Sequence, residues 1–491
     1  MLTARSGIIA SALSVLTQVT RRLVGVVSLI ILARILTPED YGLVAIALLF
    51  LNFIDVISST GGNSYLLSRE ELSDELVYTN WTLNFILKGS LAVLLALSSF
   101  PIAQYYDDPR LMPIILVLSL QSFIAQLGSP GLIYKIKKQE LGAITKWQIT
   151  SRFVTTGITI GIAVIYETYW ALVLGQFMVT VSQLLSGYVI APMVPKFSLK
   201  NIRPQWEFSK WVLPQSILNF FRSQLDAMFV TVTFEKAIVG GYNSMRYYAN
   251  IPTTMFINPA SGPLLTQFSQ FKNNPNYFEK QLQVVLFFMS MITAPIIYLM
   301  NAHAAYVVEL ILGQKWVEYS DLLAIFAFFT IVMTLNNILS QIVMLKDRTR
   351  LLFGYSIFST VAQAIMFATV DFASVDKLAE YKVALDIFSV GLFFIVVIWA
   401  FVGKHAFFAL VAPLAPSILT ISLSGHLAFL VIPTVDSFLT LAGHSLITTG
   451  LFGILQLMLI LSLQNRVYCF TYTVKLMMPA WQKCRRMVGI V

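Results

Sequence analysis

Apolar runs long enough to cross a bilayer follow one another along nearly the whole chain. Hydrocarbon offers no partner for a backbone N–H or C=O, so such runs must fold as helices or close into a barrel. About 20 predominantly apolar residues suffice for one helical crossing. Hydropathy marks about fourteen such runs, at residues 7–36, 41–64, 77–100, 112–133, 143–166, 169–191, 209–233, 238–268, 280–300, 321–344, 350–370, 383–402, 413–433 and 444–464. Pro38, Pro101, Pro109, Pro192, Pro195, Pro275, Pro413 and Pro433 fall near their ends, where proline is tolerated. Of the 491 residues, 57% are hydrophobic and 12% charged. A soluble domain carries about 25% charged residues. The fold class is therefore an all-α integral membrane protein.

Charge placement gives an orientation. With both termini in the cytoplasm, about 21 of the 33 Lys and Arg fall on the cytoplasmic side and 6 on the other. The basic connections include YKIKKQE, LKDRTR and the tail KCRR. The opposite connections are acidic: TPED, YYDDPR, KWVEYSD, PTVD. This is the positive-inside pattern, and it accounts for the net charge of +9 without nucleic acid. The first apolar run is too long for a cleavable signal and is expected to be retained.

Six basic residues remain, all placed inside helices: Arg21, Arg22, Lys88, Arg152, Arg222 and Arg246. Asp55 and Asp226 are the only carboxylates assigned to helices. A charge at mid-bilayer costs at least about 2.5 to 3.5 kcal/mol, so these positions are the candidate site. A shift of 201 places Arg21 on Arg222, Gln18 on Asn219, Tyr41 on Tyr242 and Thr60-Gly61 on Ser261-Gly262. These matches predict two parallel six-helix halves, residues 1–200 and 201–402, followed by two helices and a basic tail over 403–491. Transporters with such repeats bind substrate between the halves near the midplane, which would set one arginine on each wall.

The segment ARILTPEDYGLVAIA, residues 33–47, resembles the loop joining the first two helices in polysaccharide transporters of the multidrug/oligosaccharidyl-lipid/polysaccharide superfamily. The resemblance is to the Wzx-type oligosaccharide flippases, especially their colanic-acid-exporter-like group. It implies a V-shaped, MATE-like helical fold with alternating access in the bacterial inner membrane. It also implies an undecaprenyl-diphosphate-linked oligosaccharide as substrate, coupling to a proton or sodium gradient, a monomer, and work alongside polysaccharide polymerase and export machinery.

A diphosphate crossing an apolar slab needs fixed cations, and arginine bonds phosphate oxygens in pairs without losing its charge. Arg21, Arg222 and Arg22 are the first candidates. Arg21 and Arg22 point about 100° apart on a helix, and the 201-residue match favours Arg21. Lys88, Arg152 and Arg246 are further candidates, with snorkelling to head groups as the alternative. Arg222 and Asp226 stand at i and i+4 and share a face. Asp55 and Asp226 are candidates for ion coupling, the alternative being static pairs that only lower the cost of burial. Residues 196–211 read as an amphipathic connector at the head groups. The histidines, His303, His405, His426 and His444, are scattered without ligand spacing. Cys469 and Cys484 make no disulfide framework. There is no Walker A loop, and no cofactor or metal is expected. The competing readings are a cation-coupled multidrug exporter, which would want acidic lining, and a membrane polymerase or acyltransferase, which would want a long outer loop or a His/Asp cluster.

Overall fold

The Thr-Pro-Glu-Asp segment starts its helix by an orthodox chemical route. Thr37 is extended, and its side chain accepts the Asp40 N–H. The Asp40 carboxylate in return accepts the Thr37 N–H at 2.9 Å, and Pro38 occupies the first helical turn, where its missing N–H is harmless. The computed structural model describes residues 4–257, 274–403, 406–411, 414–435, 437–463 and 467–474, and every regular element among them is helical.

The chain divides into two compact units, Met1–Ser244 with Gln363–Val370, and Met245–Ala362 with Asp371–Val491. The first contains α1 (Ala4–Ile35), α2 (Pro38–Ile57), α3 (Gly62–Ser68), α4 (Asp74–Tyr105), α5 (Leu111–Ala125), α6 (Leu132–Lys137), α7 (Gly142–Tyr166), α8 (Trp170–Ile190), α9 (Ile202–Thr233) and the start of α10 (Lys236–Pro252). Small residues let these helices approach closely. A Cβ on Gly175 of α8 would lie 2.4 Å from the Thr159 hydroxyl of α7. Ala163 and Ala171 in the same pair are fully buried. Large apolar side chains point outward instead, Leu97 at 73% and Ile165 at 72% exposure, as helices solvated by lipid require.

The second unit contains α11 (Pro275–Ala302), α12 (Ala304–Leu312), α13 (Ser320–Phe326), α14 (Phe329–Leu345), most of α15 (Thr349–Thr369), α16 (Val375–Phe401), α17 (Ala406–Val411), α18 (Ala415–Val431) and α19 (Phe438–Leu463). Its core joins Phe278 and Leu282 of α11 to Leu339 of α14 and Phe393 and Val397 of α16. Gln456 of α19 donates to the Thr420 hydroxyl of α18 at 2.6 Å, a polar tie inside an apolar pair.

Ten helical segments among the described residues are long and apolar enough to cross a membrane. The expected crossings at 7–36, 112–133, 209–233 and 238–268 correspond to α1, α5, α9 and α10, which fall outside those ten. Among the described side chains of α1, Leu23–Ile35 forms a shorter apolar stretch. α5 stops at Ala125, because the chain turns before α6. α9 carries Arg222 and Asp226 in its interior, and residues 258–268 lie outside those described.

The expected register of the two halves shifts on inspection of helix ends. α1 ends at Ile35 and α9 at Thr233, a separation of 198; α2 begins at Pro38 and α10 at Lys236, again 198. The 201-residue shift is three residues longer, just under one helical turn. In the 198 register Arg21 aligns with Asn219 and Arg222 with Val24, so Arg222 sits about one turn further along its helix than Arg21 does.

This register is locked by backbone contact. A Cβ on Gly42 would lie 1.8 Å from the Lys236 carbonyl oxygen, and one on Gly240 1.8 Å from that of Pro38. Only glycine fits either position. Beside the crossing, Asp108 is 3% exposed and takes hydrogen bonds from the Arg110 backbone N–H and guanidinium, while the Lys236 ammonium approaches to 2.8 Å. Arg110 also reaches Glu39 at 2.6 Å. Burial alone would raise the Asp108 pKa, but the hydrogen bonds from Arg110 and Lys236 outweigh it and hold the carboxyl at about 2.

A group whose folded pKa is depressed contributes stability above its unfolded value, here 3.8, and loses it as pH falls toward 2. Asp108→Asn is therefore expected to destabilise the protein by about 3 kcal/mol near neutrality. Thermal melts of the detergent-solubilised variant should converge on wild type as pH drops from 4 toward 2; a gap that holds constant over that range contradicts the assignment.

Candidate substrate site

Charged side chains buried in helices need partners, and the first unit supplies them pairwise. Asp55 of α2 faces Lys88 of α4 at 3.5 Å, with side-chain exposures of 47% and 26%. That exposure makes the pair weak, on the order of 0 to 1 kcal/mol. One turn before Lys88, Asn84 accepts a hydrogen bond from Thr60 at 3.1 Å, extending the polar face of α4. Phe53, two residues before Asp55, packs on Phe220 and Phe221 of α9 with ring centroids at 5.3 and 6.0 Å. That contact brings α2 against the residues next to Arg222, which is half-buried.

Arg21 is exposed on α1. Gly25 follows it by four residues on the same face, and a Cβ there would lie 3.3 Å from a guanidinium nitrogen of Arg152. Arg152 of α7 thus reaches across the α1–α7 interface to within a turn of Arg21. The Arg22 side chain lies outside the described ones. Arg246 is half-buried on α10, past the Ser244 end of the first unit.

Asp226 is fully buried and accepts the Tyr242 hydroxyl at 2.8 Å. The i, i+4 spacing points to Arg222 as its neighbour; the structure adds a tyrosine from the next helix, sixteen residues away across the α9–α10 turn. No helical periodicity reports such a partner.

The assignment of only two carboxylates to helices is corrected. Asp386 lies inside α16 and is buried, bonded to the buried Lys382 ammonium four residues earlier. Lys382 had been placed in a connection because the expected helix began at residue 383, whereas α16 starts at Val375. Two of the scattered histidines also meet: His303 Nε2 and His444 Nδ1 stand 3.0 Å apart, both buried. His405 lies outside the described residues. No group of three or more metal-ligating side chains occurs among the described residues.

The connector at 196–211 is likewise more firmly held than an interfacial helix. Ser198 N–H donates to Thr82 at 3.0 Å, and Phe197 packs on Trp81 and Phe85 of α4 at 5.4 and 5.5 Å. Gln205 and Ser209, in the first turns of α9, donate to the Leu76 and Thr60 carbonyls at 3.0 and 2.7 Å.

Residues 31–321, more than half of the chain, match the family model described as "Polysaccharide biosynthesis protein". This chain belongs to the polysaccharide biosynthesis protein family. Lipopolysaccharide biosynthesis protein WzxC of Escherichia coli (strain K12) is 25% identical over 346 residues, covering 68% of this chain and 69% of that one. Succinoglycan biosynthesis transport protein ExoT of Rhizobium meliloti (strain 1021) is 23% identical over 307 residues, 62% of each chain and so just under two thirds of its length. In structure, the chain is similar to lipid II flippase MurJ in an inward closed conformation, with a TM-score of 0.71 at 14% identity, over 93% of this chain and 99% of that one. An inward-facing multidrug resistance MATE family transporter of the MOP superfamily matches with a TM-score of 0.56 at 14% identity, over 77% and 93%. The all-α membrane fold and the resemblance carried by residues 33–47 are both borne out.

Removing the Tyr242 hydroxyl leaves the Asp226 carboxylate short of a donor in a buried site. Tyr242→Phe is expected to cost about 1 to 3 kcal/mol, and to cost far less in an Asp226→Asn background. A double-mutant cycle of thermal stability in detergent measures this; simple additivity would show that the bond contributes nothing.

Proposed function

We propose that this protein is a flippase for undecaprenyl-diphosphate-linked oligosaccharide, moving it from the cytoplasmic to the outer leaflet of a bacterial inner membrane by alternating access. The reading rests on one observation above the rest: basic side chains outnumber acidic ones within the helices of a chain of this family. The fold itself is shared with a multidrug transporter, so the sign of the lining must decide the substrate class. Arg21, Arg152, Lys88 and Arg222 present cations at membrane depth, whereas a selector of organic cations needs carboxylates there. In this reading Arg21 and Arg222 bind phosphate oxygens, Arg152 and Lys88 extend the cationic path, and Arg22 and Arg246 serve its edges. The 1–200 and 201–402 repeats supply the two walls. The protein acts as a transporter, with both termini cytoplasmic and as a monomer, and hands its cargo to polymerase and export machinery.

The weak Asp55–Lys88 pair fits exchange: incoming diphosphate takes over Lys88 and releases Asp55. Asp226, buried and bonded to Tyr242, is the stronger candidate for carrying a coupling proton or sodium ion, because a carboxylate in that setting changes its protonation with its neighbours.

Deleting the gene in its host should accumulate undecaprenyl-diphosphate glycan on the cytoplasmic face. Arg21→Ala and Arg222→Ala should insert and fold yet fail to complement, while Arg→Lys at either site restores part of the export. Full complementation by both alanine variants removes the arginines from the site; normal outer-leaflet delivery in a deletion strain without a redundant exporter removes the function.

A further inference from the structure

A groove on the first unit has none of the charged residues described above in its lining. It has a volume of about 900 Å³ and runs between α7 and α8 beneath the α6–α7 turn. Lys135, Glu140, Lys146, Trp147, Val154 and Val189 are among its lining residues; Val189 stands beside the charged end of the groove, and Val154 lies twelve residues into α7. The apolar lining continues into open apolar surface: Val154 is 55% exposed and Val189 64%, and Phe153, Ile158 and Leu185 are exposed beside them. These are the outward faces of two membrane-spanning helices, so the apolar part of the groove faces lipid chains. Lys135 and Glu140 of the rim belong to the YKIKKQE connection and Lys146 to the first turns of α7, at the lysine-rich end of the helix.

Rim charges select the head group. Lys135 and Glu140 pair at 2.6 Å and offset one another, and Lys146 adds one net positive charge. One net cation matches a single phosphodiester better than a diphosphate. The Trp147 indole N–H donates to the Ser182 carbonyl at 3.0 Å. That bond pins the ring across the α7–α8 interface, near the basic end of α7, and tryptophan is enriched at membrane interfaces.

We propose that this groove is a binding site for an anionic glycerophospholipid of the leaflet that meets the basic connections, with the phosphodiester at Lys146 and an acyl chain along Val154 and Val189. The lipid occupies the groove between α7 and α8, and its occupancy is independent of the transported substrate.

The full-length protein, reconstituted in mixed vesicles, supplies the test. Trp147 emission is taken as the difference between wild type and Trp147→Phe. It should be quenched more by brominated phosphatidylglycerol in phosphatidylcholine than by brominated phosphatidylcholine in phosphatidylglycerol. Lys146→Gln should lower that preference about fivefold, the effect of one lysine near a membrane surface. Equal quenching by the two lipids overturns the proposal, as does a preference that survives Lys146→Gln. Displacement of the brominated lipid by undecaprenyl diphosphate at lower concentration than by unbrominated phosphatidylglycerol assigns the groove to the substrate instead. Should Trp147→Phe fail to fold, native mass spectrometry of phosphatidylglycerol retained by wild type and Lys146→Gln gives the same decision.

Discussion

A single buried carboxylate ties together the acidic end of the first unit. Asp108 sits in the tight turn between α4 and α5, where Asp107 adopts a left-handed backbone at φ 48° that aspartate tolerates better than most residues. From there it holds Arg110, which reaches Glu39 at the start of α2, and Lys236, which opens α10. The Gly42–Gly240 crossing lies beside those charges, with Lys236 common to both. Two helix starts separated by 198 residues are thereby fixed against each other, and α1 and α9 inherit their register from them. Removing one partner of so buried a group leaves an uncompensated charge, which is why the cluster acts as a unit.

Deeper in the membrane the same rule operates with looser bonds. Buried ions are matched closely: Asp226 with Tyr242, Asp386 with Lys382. The half-exposed Asp55–Lys88 pair is longer, and Arg21 is exposed outright. The tight Lys382–Asp386 pair belongs to helix packing, the longer Asp55–Lys88 pair is the one proposed to open to an anionic ligand, and Asp226 is kept apart as the proposed coupling carboxylate. The available charge is mostly positive, which gives the proposed path its sign.

Much of this was legible in the primary structure. Residues 37–40 announce a helix start because capping is local chemistry, and Gly42 lies in the same conspicuous stretch. The apolar runs announce the crossings because hydrocarbon leaves the backbone no other choice. What escaped notice depends on distant partners or on helix ends. Tyr242 is invisible as the partner of Asp226 because it arrives from the next helix. His303 and His444 are 141 residues apart and meet only when α11 and α19 converge. Lys382 and Asp386 carry a clear i, i+4 signal, but a helix start misplaced by eight residues hid half of it. The 201-residue spacing came from matching side chains, whereas the ends of α1 and α9 and the starts of α2 and α10 are 198 residues apart. Three residues is close to one turn, so the two registers present nearly the same face and are hard to tell apart from side chains alone.

The central claim is that cations within the membrane carry a lipid-linked diphosphate across it. Purified protein reconstituted into vesicles with a fluorescent undecaprenyl-diphosphate oligosaccharide tests it directly, by the fraction of fluorophore that becomes accessible to a membrane-impermeant quencher over time. The account predicts translocation by wild type, loss of it in Arg21→Ala and Arg222→Ala, and no stimulation with a neutral undecaprenol-linked glycan. Equal translocation of the neutral lipid, or undiminished transport by both arginine variants, would contradict it.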